Sequence, residues 1–183
     1  GLARPVVGVT PRRQTRTTVA RHRMSIQAHA PGVLPRGAGV PIDLDACPGL
    51  ELSLLDLNAP ATERELAWLS AAEQEKASRF VFARHRQFYL SAHCQLRAML
   101  ATRAWIPPER LVFGEGPHGK PYLNNTRRCA FNLSHCEDVG AVLIAAQGEI
   151  GVDVEALRPV PDASSLARRH FSAAEQAALA ETD

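Results

Sequence analysis

Two carboxylates stand two residues apart in the short apolar stretch EIGVDVE, residues 149–155. In an extended strand the side chains alternate between two faces, so Asp153 and Glu155 lie together on one face and the apolar side chains on the other. Their oxygens can lie within roughly 5–7 Å of each other, close enough to repel unless water screens them or a cation bridges them. The pattern is therefore typical either of an ordinary strand with a solvated face or of a metal site.

Two further motifs precede the acids, GKPYL at residues 119–123 and FNLSH at residues 131–135. Lys120 offers a positive charge, Ser134 a hydroxyl and His135 an imidazole, all of which suit phosphate oxygens. Singly, a lysine in a Gly-Pro turn is typical of a solvated turn, and neighbours on a strand point to opposite sides, which makes a poor nucleophile–base pair. Together with two carboxylates that could hold Mg²⁺ on substrate phosphates, they indicate a phosphorylated ligand.

The charge of the chain is unevenly distributed. The net charge is +2 over 183 residues, but residues 1–42 contain seven Arg and no acid, which leaves 14 basic and 19 acidic residues in 43–183. A length of this order and a hydrophobic fraction of 45% suit one good core. A mildly acidic folded part argues against a protein whose body binds nucleic acid.

The cysteines and the apolar runs indicate a location. The four cysteines show no C-x-x-C pair and no zinc-like spacing with the histidines, which predicts free thiols in a reducing compartment. No apolar run approaches the ~20 residues that span a bilayer, and the first residues lack the apolar region of a signal peptide. A cytoplasmic protein without membrane contact is therefore expected.

Strands and helices that could position the motifs follow from the apolar periodicity. Residues 50–58 alternate like a strand, and the stretch from 69 to about 104 is predicted to be one or two helices, beginning at a Ser70–Glu73 capping box and ended by Pro107–Pro108. A turn at GPHGKPYL leads into a short strand. The motifs CAFNLSH, VGAVLIAA and EIGVDVE are predicted to be strands, and helical segments follow from about Ala163.

The chain divides into three predicted parts. Residues 1–42 are unpatterned and Arg/Pro/Gly/Thr-rich, which predicts a disordered basic arm or upstream sequence, with Met24 as a candidate start. Residues 43–147 are predicted to be a first α/β half-domain and residues 148–183 the truncated start of a second. LSAAEQ at 69–74 returns as FSAAEQ at 171–176, which fits either a duplicated α/β unit or two chance capping boxes.

The ordered set of motifs resembles a known family. GKPYL, FNLSH and GVDVE, with ASRFVFARHR before them and LARRHFSAAEQ after, resemble the 4′-phosphopantetheinyl transferases of the larger, two-halved, surfactin-synthetase-activating type over roughly residues 50–183. The resemblance implies an α/β (α+β) fold, a pseudo-twofold pair of similar α/β halves with the second cut short in this chain. Coenzyme A would bind between the halves, with Mg²⁺ on its pyrophosphate.

The resemblance also implies a reaction, its partners and a set of residues. A serine of an apo acyl or peptidyl carrier protein would attack the β-phosphate of coenzyme A, accept the 4′-phosphopantetheine arm and release 3′,5′-ADP, and a monomer is expected. Asp153 and Glu155 resemble the metal-binding acids, and Glu175 matches a catalytic acid that assists at the metal or its water. The implied nucleotide-binding residues are Lys76, Arg79, Arg84, Lys120, Ser134 and His135.

The sequence departs from the family pattern at its end. A W-x-x-K-E-A helix that supplies a third acid and a lysine follows F-S-x-x-E in the family, and this chain ends before it. The resemblance therefore implies that the 183-residue fragment is inactive or nearly so alone, with an unpartnered strand and exposed helices from residue 148 onward. A non-catalytic coenzyme A or nucleotide binding module is the alternative. A metal-dependent phosphohydrolase has less support, because no further Asp/His cluster is present.

Overall fold

The structure is a computed structural model that describes residues 5–12, 26–27, 40–42, 49–126, 128–156 and 160–180. Along these residues four strands are followed by three helices, five strands and two further helices, which is a mixed α/β composition. The strands are β1 Pro5–Arg12, β2 Ile26–Gln27, β3 Val40–Ile42, β4 Leu50–Asp56, β5 Phe113–Glu115, β6 Pro121–Leu123, β7 Ala130–Cys136, β8 Val139–Ala145 and β9 Glu149–Ala156. The helices are α1 Glu63–Leu66, α2 Ala71–Ser78, α3 Ala83–Ala104, α4 Ala163–His170 and α5 Ala173–Ala180, with a 3-10 turn at Pro108–Arg110.

An antiparallel four-stranded sheet in the order β3-β4-β8-β7 forms the centre of the fold. Its register pairs Leu52 with Leu143 and Ser134 with Ala141. These strands confirm the predictions made from LELSLLDLN, CAFNLSH and VGAVLIAA. The GPHGKPYL turn leads, as predicted, into the short strand β6, which pairs with β5 as a separate hairpin.

The two faces of the central sheet bury different clusters because side chains alternate along each strand. One face packs on α3, and its buried members include Phe131, Val142 and Ile144 from the sheet and Leu96 and Leu100 from the helix. The other face packs on β9 through a second cluster, with buried members Leu52, Leu54, Ala141, Leu143, Ala145, Ile150, Val152 and Val154. Strand β9 therefore lies on the side of the sheet that α3 does not cover.

The first strand corrects two expectations. Residues 1–42 were expected to be a disordered basic arm or upstream sequence, yet within them Pro5–Arg12 is a strand that pairs antiparallel along the whole of β9. That pairing, together with the burial of Ile150, Val152 and Val154, also means that β9 is not an unpartnered strand. Three of the eight residues of this strand are Val, and its two prolines fall near the strand ends, where a missing N–H is tolerated.

The helices begin where the sequence predicts. The long helical stretch is two helices, α2 and α3, and the predicted Ser70–Glu73 capping box begins α2. The Ser172–Glu175 echo also has capping-box hydrogen bonds. A third box at Thr62–Glu65 shows that this motif recurs outside the echo, so the motif alone is weak evidence for duplication. Helix α3 ends at a left-handed Trp105, just before the predicted Pro107–Pro108 stop.

Two properties of the described residues bear on the expected location. Cys94, Cys129 and Cys136 are free thiols, as predicted, while Cys47 lies outside the described residues. Of the helices within the described ranges, none has both the length and the apolar character required to cross a membrane.

Candidate functional site

The acid pair lies where strand alternation predicts. Ile150, Val152 and Val154 are buried against the sheet, and Asp153 and Glu155 are exposed on the opposite face of β9. Carboxylate oxygens are donors that Mg²⁺ prefers, and this face is accessible to a phosphorylated ligand. The two acids therefore fit a divalent ion by donor chemistry and by accessibility.

Ser134 is bonded to this acid pair rather than to His135. Its hydroxyl donates to Asp153 Oδ1 at 2.9 Å and accepts from the Val154 N–H at 3.3 Å. These contacts join the FNLSH strand to the GVDVE strand at the acid nearest the middle of β9. Two motifs that lie 19 residues apart in the chain thus meet at one carboxylate.

Lys120 also contacts the acid-bearing strand. Its Nζ donates to the Ile150 carbonyl at 2.6 Å. The turn before it is closed by hydrogen bonds from the Gly119 N–H to the Gly116 carbonyl and from the Gly116 N–H to the Lys120 carbonyl, both 2.9 Å long. Gly119 has a φ of +72°, which a side chain rarely adopts, so this turn requires glycine before the lysine. One of the three ammonium donors is used by β9, and two remain for a ligand.

His135 lies on the other side of β7 from Ser134. Partial burial of the ring, and then the neighbouring imidazoles of His93 and His85, lower the pKa of His135. The neutral imidazole is therefore favoured near neutral pH, where it still carries one N–H donor. Ser134 and His135 do not form one cluster, which agrees with their predicted opposite orientations.

The predicted cations of α2 and α3 have different surroundings. Lys76 lies 5.6 Å from the centroid of the Tyr89 ring, and the Arg84 guanidinium lies 5.1 Å from that of Phe88. Arg79 forms an ion pair with Glu75 one turn earlier on the helix surface. Of the three, Lys76 lines a cavity.

This cavity, of about 340 Å³, opens between α2, α3, the β5–β6 hairpin and β7. Lys76, Glu73 and His93 contribute its polar groups, together with Tyr89 and Glu115. Its apolar wall is formed by Leu96, Phe113, Phe131 and Leu133. Apolar walls with a few polar groups at one side are typical of a site for a small organic ligand.

The polar cluster that supports the cavity was not predicted from the sequence. Glu73 was predicted only as a helix cap, but it also accepts from Arg97 Nε at 3.2 Å and Nη2 at 2.5 Å, and its Oε1 lies 3.1 Å from His93 Nδ1. Arg97 Nη1 donates to the carbonyls of Pro108 and Leu111 at 2.6 and 3.1 Å. The Arg97 side chain is 1% exposed, so the ion pair is buried. It joins α2, α3 and the segment that leads into β5.

The Glu73 carboxylate should make the stability of the fold depend on pH. Burial by itself raises the pKa of Glu73, but hydrogen bonds from His93, Arg97 and Ser70 outweigh it and hold the pKa well below its usual range. A lowered folded-state pKa contributes stability that is complete above the unfolded value of 4.5 and is lost as pH falls below it.

We therefore expect the Glu73→Gln variant to be less stable than the wild type at pH 7, with the difference narrowing as pH falls below about 4.5. Urea unfolding from pH 7 to pH 3 measures it. A difference in unfolding free energy between the variant and the wild type that stays constant from pH 7 to pH 3 would contradict an ionised Glu73 in the folded protein.

Glu175 is placed as a helix cap. Its Oε2 accepts from the backbone N–H and the hydroxyl of Ser172, both at 2.9 Å, and the residue is exposed. Within the described ranges, no group of three or more His, Cys, Asp or Glu side chains forms a metal-binding cluster. The structure therefore does not bring Glu175 to the pair Asp153 and Glu155, and its catalytic role stays a prediction.

Several known proteins of related sequence are 4′-phosphopantetheinyl transferases. Residues 60–149 match the family "4′-phosphopantetheinyl transferase, N-terminal". The chain is 34% identical over 108 residues to the 4′-phosphopantetheinyl transferase HetI of Nostoc sp., covering 57% of this chain and 46% of that protein. It is 30% identical over 125 residues to a 4′-phosphopantetheinyl transferase of Bacillus subtilis, covering 67% and 54%. For AcpT of Salmonella typhi the identity is 40% over 81 residues, covering 44% and 41%.

The matched region contains most of the site. It includes the cavity residues, Lys120, Ser134 and His135, and it ends at Glu149, where the acid-bearing strand begins. The chain spans about half the length of the curated relatives that it matches. Over residues 60–149 the chain is similar to the N-terminal part of the 4′-phosphopantetheinyl transferases.

Proposed function

We propose that the whole protein transfers the 4′-phosphopantetheine arm of coenzyme A to a serine of an apo acyl or peptidyl carrier protein. The observation that carries this proposal is the meeting of three motifs at one strand. Lys120 binds the Ile150 carbonyl and Ser134 binds Asp153, so GKPYL and FNLSH both contact β9, the strand that carries GVDVE. Groups suited to phosphate thus adjoin two carboxylates suited to a divalent ion.

The reaction would proceed by attack of the carrier serine oxygen on the β-phosphorus of coenzyme A. A P–O bond forms to the serine, the P–O bond to 3′,5′-ADP breaks, and the serine proton passes to a base. Asp153 and Glu155 would hold Mg²⁺, which would neutralise charge on the phosphoryl oxygens. Lys120 and Ser134 would orient the phosphates beside them. Glu175 is proposed to assist at the metal or its water.

The nucleotide end would be held by the cations around the cavity. Lys76 lines it, and Arg79 and Arg84 lie at the adjoining ends of α2 and α3. His135 would donate to the 3′-phosphate from the α3 side of β7, since its partners His93 and His85 belong to that helix. The cavity volume of about 340 Å³ is within the range of small-ligand sites.

Several finer properties belong to this proposal. They are dependence on Mg²⁺, release of 3′,5′-ADP, a monomeric state, a cytoplasmic location and a two-halved fold divided near residue 148. Because the chain spans about half of its matched relatives, transfer is proposed for the whole protein. Little or no activity is predicted for the 183-residue chain alone. Mass analysis of an apo carrier protein after incubation with coenzyme A and Mg²⁺ tests the proposed transfer.

Replacing His135 by alanine should weaken coenzyme A far more than dephospho-coenzyme A. A charge-assisted hydrogen bond to the 3′-phosphate contributes roughly 1.5–3 kcal/mol, about ten- to hundredfold in affinity, and dephospho-coenzyme A lacks that group. Lys120→Ala should instead weaken both ligands, because Lys120 is assigned to the phosphates beside the acid pair, which both ligands contain, and because the Ile150 carbonyl loses its donor. Calorimetric titration of the whole protein with both ligands measures these losses.

The matched control is His170→Ala, which removes an exposed histidine from the last turn of α4. This variant should bind both ligands like the wild type. If His135→Ala weakens coenzyme A and dephospho-coenzyme A equally, the side chain acts elsewhere in the site.

A further inference from the structure

Among the residues that the structure describes, one edge of β9 is hydrogen-bonded by side chains and pairs with no strand. Its other edge pairs with β1 along its whole length. Towards β7, three alternate residues of β9 are bonded by the side chains of Lys120, Asn132 and Ser134. In order, these are the Ile150 carbonyl, the Val152 N–H at 2.8 Å and the Val154 N–H at 3.3 Å.

The middle bond of this set defines the role of Asn132. Its Oδ1 accepts the Val152 N–H, and since a backbone N–H can only donate, the amide oxygen must be the atom that faces it. Asn132 and Ser134 stand two residues apart on β7, so they lie on the same face. Their acceptors match the two-residue spacing of Val152 and Val154.

The consequence is a fixed register between β7 and β9. Asn132 and Ser134 bond the residues on either side of Asp153, which leaves this acid beside the Ser134 hydroxyl. A slip of β9 by one residue would turn the acids toward the core and the valines toward solvent. Ser134 cannot set the register alone, because its hydroxyl also donates to Asp153 and its bond to Val154 is the longer of the two.

We infer that Asn132 is a positioning residue, which fixes the acid-bearing strand so that Asp153 and Glu155 can bind a divalent cation together. This inference rests on the metal role given to these acids in the proposed function. Asn132 would touch neither the cation nor the substrate and would act through the Val152 N–H.

The first arm of the test measures the hydrogen bond itself. Asn132→Leu keeps a similar side-chain size and removes the acceptor, so the Val152 amide should exchange with deuterium about five- to tenfold faster in the full chain. Asn132→Asp keeps an acceptor oxygen and should restore slow exchange. Asn125→Leu is the matched control, because Asn125 Oδ1 accepts the Val112 N–H at 3.2 Å in the same manner. This control should leave the Val152 amide unchanged.

The second arm of the test measures the affinity of the protein for Mg²⁺. Titration with Mg²⁺, followed by the amide resonances of Asp153 and Glu155, should give a dissociation constant about 10- to 100-fold higher in Asn132→Leu than in the wild type or Asn125→Leu. Equal Mg²⁺ affinity in the two leucine variants, slow Val152 exchange in Asn132→Leu, or no Mg²⁺ binding to the wild type would overturn the inference. Neither arm uses the transfer reaction, so a wild type that binds Mg²⁺ at these acids but transfers nothing would refute the proposed reaction alone.

Discussion

Replacing Asp153 by asparagine should lower the rate of phosphopantetheine transfer by about 10²–10³-fold or more while leaving the fold intact. Asparagine keeps an oxygen that can accept from the Ser134 hydroxyl, so the contact between β7 and β9 is preserved. The lost charge is the one that would hold a divalent cation on the substrate phosphates. Since Asp153 is exposed and stands two residues from Glu155, removing one of two like charges should not destabilise the metal-free protein.

The matched control is Asp138→Asn at the turn between β7 and β8. Asp138 Oδ2 likewise accepts one side-chain hydrogen bond, from Asn58 Nδ2 at 2.9 Å. Both variants should unfold near the wild-type temperature, and only Asp153→Asn should lose transfer. A rate within a few-fold of the wild type in Asp153→Asn, at the same Mg²⁺ concentration, would remove this acid from the metal site.

Replacing Arg97 by leucine should destabilise the protein by about 3–5 kcal/mol, because removing one partner of a buried ion pair leaves the other charge uncompensated. Here the charge left without a partner is that of Glu73, and the carbonyls of Pro108 and Leu111 lose their hydrogen-bond donor as well. The melting temperature should fall by roughly 10 °C for a chain of this size. The lining of the cavity should loosen too, since Glu73 also contacts His93.

Arg103→Leu is the matched control for Arg97→Leu, because it removes an arginine from an exposed ion pair instead of a buried one. Its guanidinium pairs with Glu51 at 3.0 Å, with the two side chains 41% and 51% exposed, so this change should cost about 0–1 kcal/mol. The double variant Glu73→Gln with Arg97→Leu removes both charges and should regain part of the loss. Similar melting temperatures for Arg97→Leu and Arg103→Leu would show that the buried pair contributes little.

The strands and the acid pair could be predicted because local alternation determines them. Val152 and Val154 are buried and Asp153 is exposed, as the period of two requires. The same rule predicted that Ser134 and His135 point to opposite sides of β7. The helix start at Ser70 followed from capping chemistry between residues three positions apart.

Contacts between distant residues could not be predicted in this way. Glu73 satisfies the capping-box pattern completely, so nothing in its local sequence reveals the pair with Arg97, 24 residues later. The sequence contains 19 arginines, and no spacing rule distinguishes the buried one. Lys120 was predicted from charge alone, and its long side chain can reach many acceptors, so its bond to Ile150 was not foreseen.

The pairing of β1 with β9 was missed for a related reason. The segment PVVGVTPR contains two prolines and lies among arginines, which indicates an unstructured arm by composition. In an antiparallel pair only alternate N–H groups of a strand face its partner, so proline is tolerated at the positions between them. Which strand offers that partner depends on tertiary structure.

The most direct test of the proposed function is the mass of a carrier protein. An apo acyl or peptidyl carrier is incubated with the whole protein, coenzyme A and Mg²⁺, beside a carrier whose acceptor serine is replaced by alanine. We predict that the intact carrier gains the mass of one 4′-phosphopantetheine group only when Mg²⁺ is present, and that 3′,5′-ADP appears in equal amount. Binding of coenzyme A without any gain of carrier mass would contradict transfer and indicate a binding module, and cleavage of coenzyme A without carrier would indicate a phosphohydrolase.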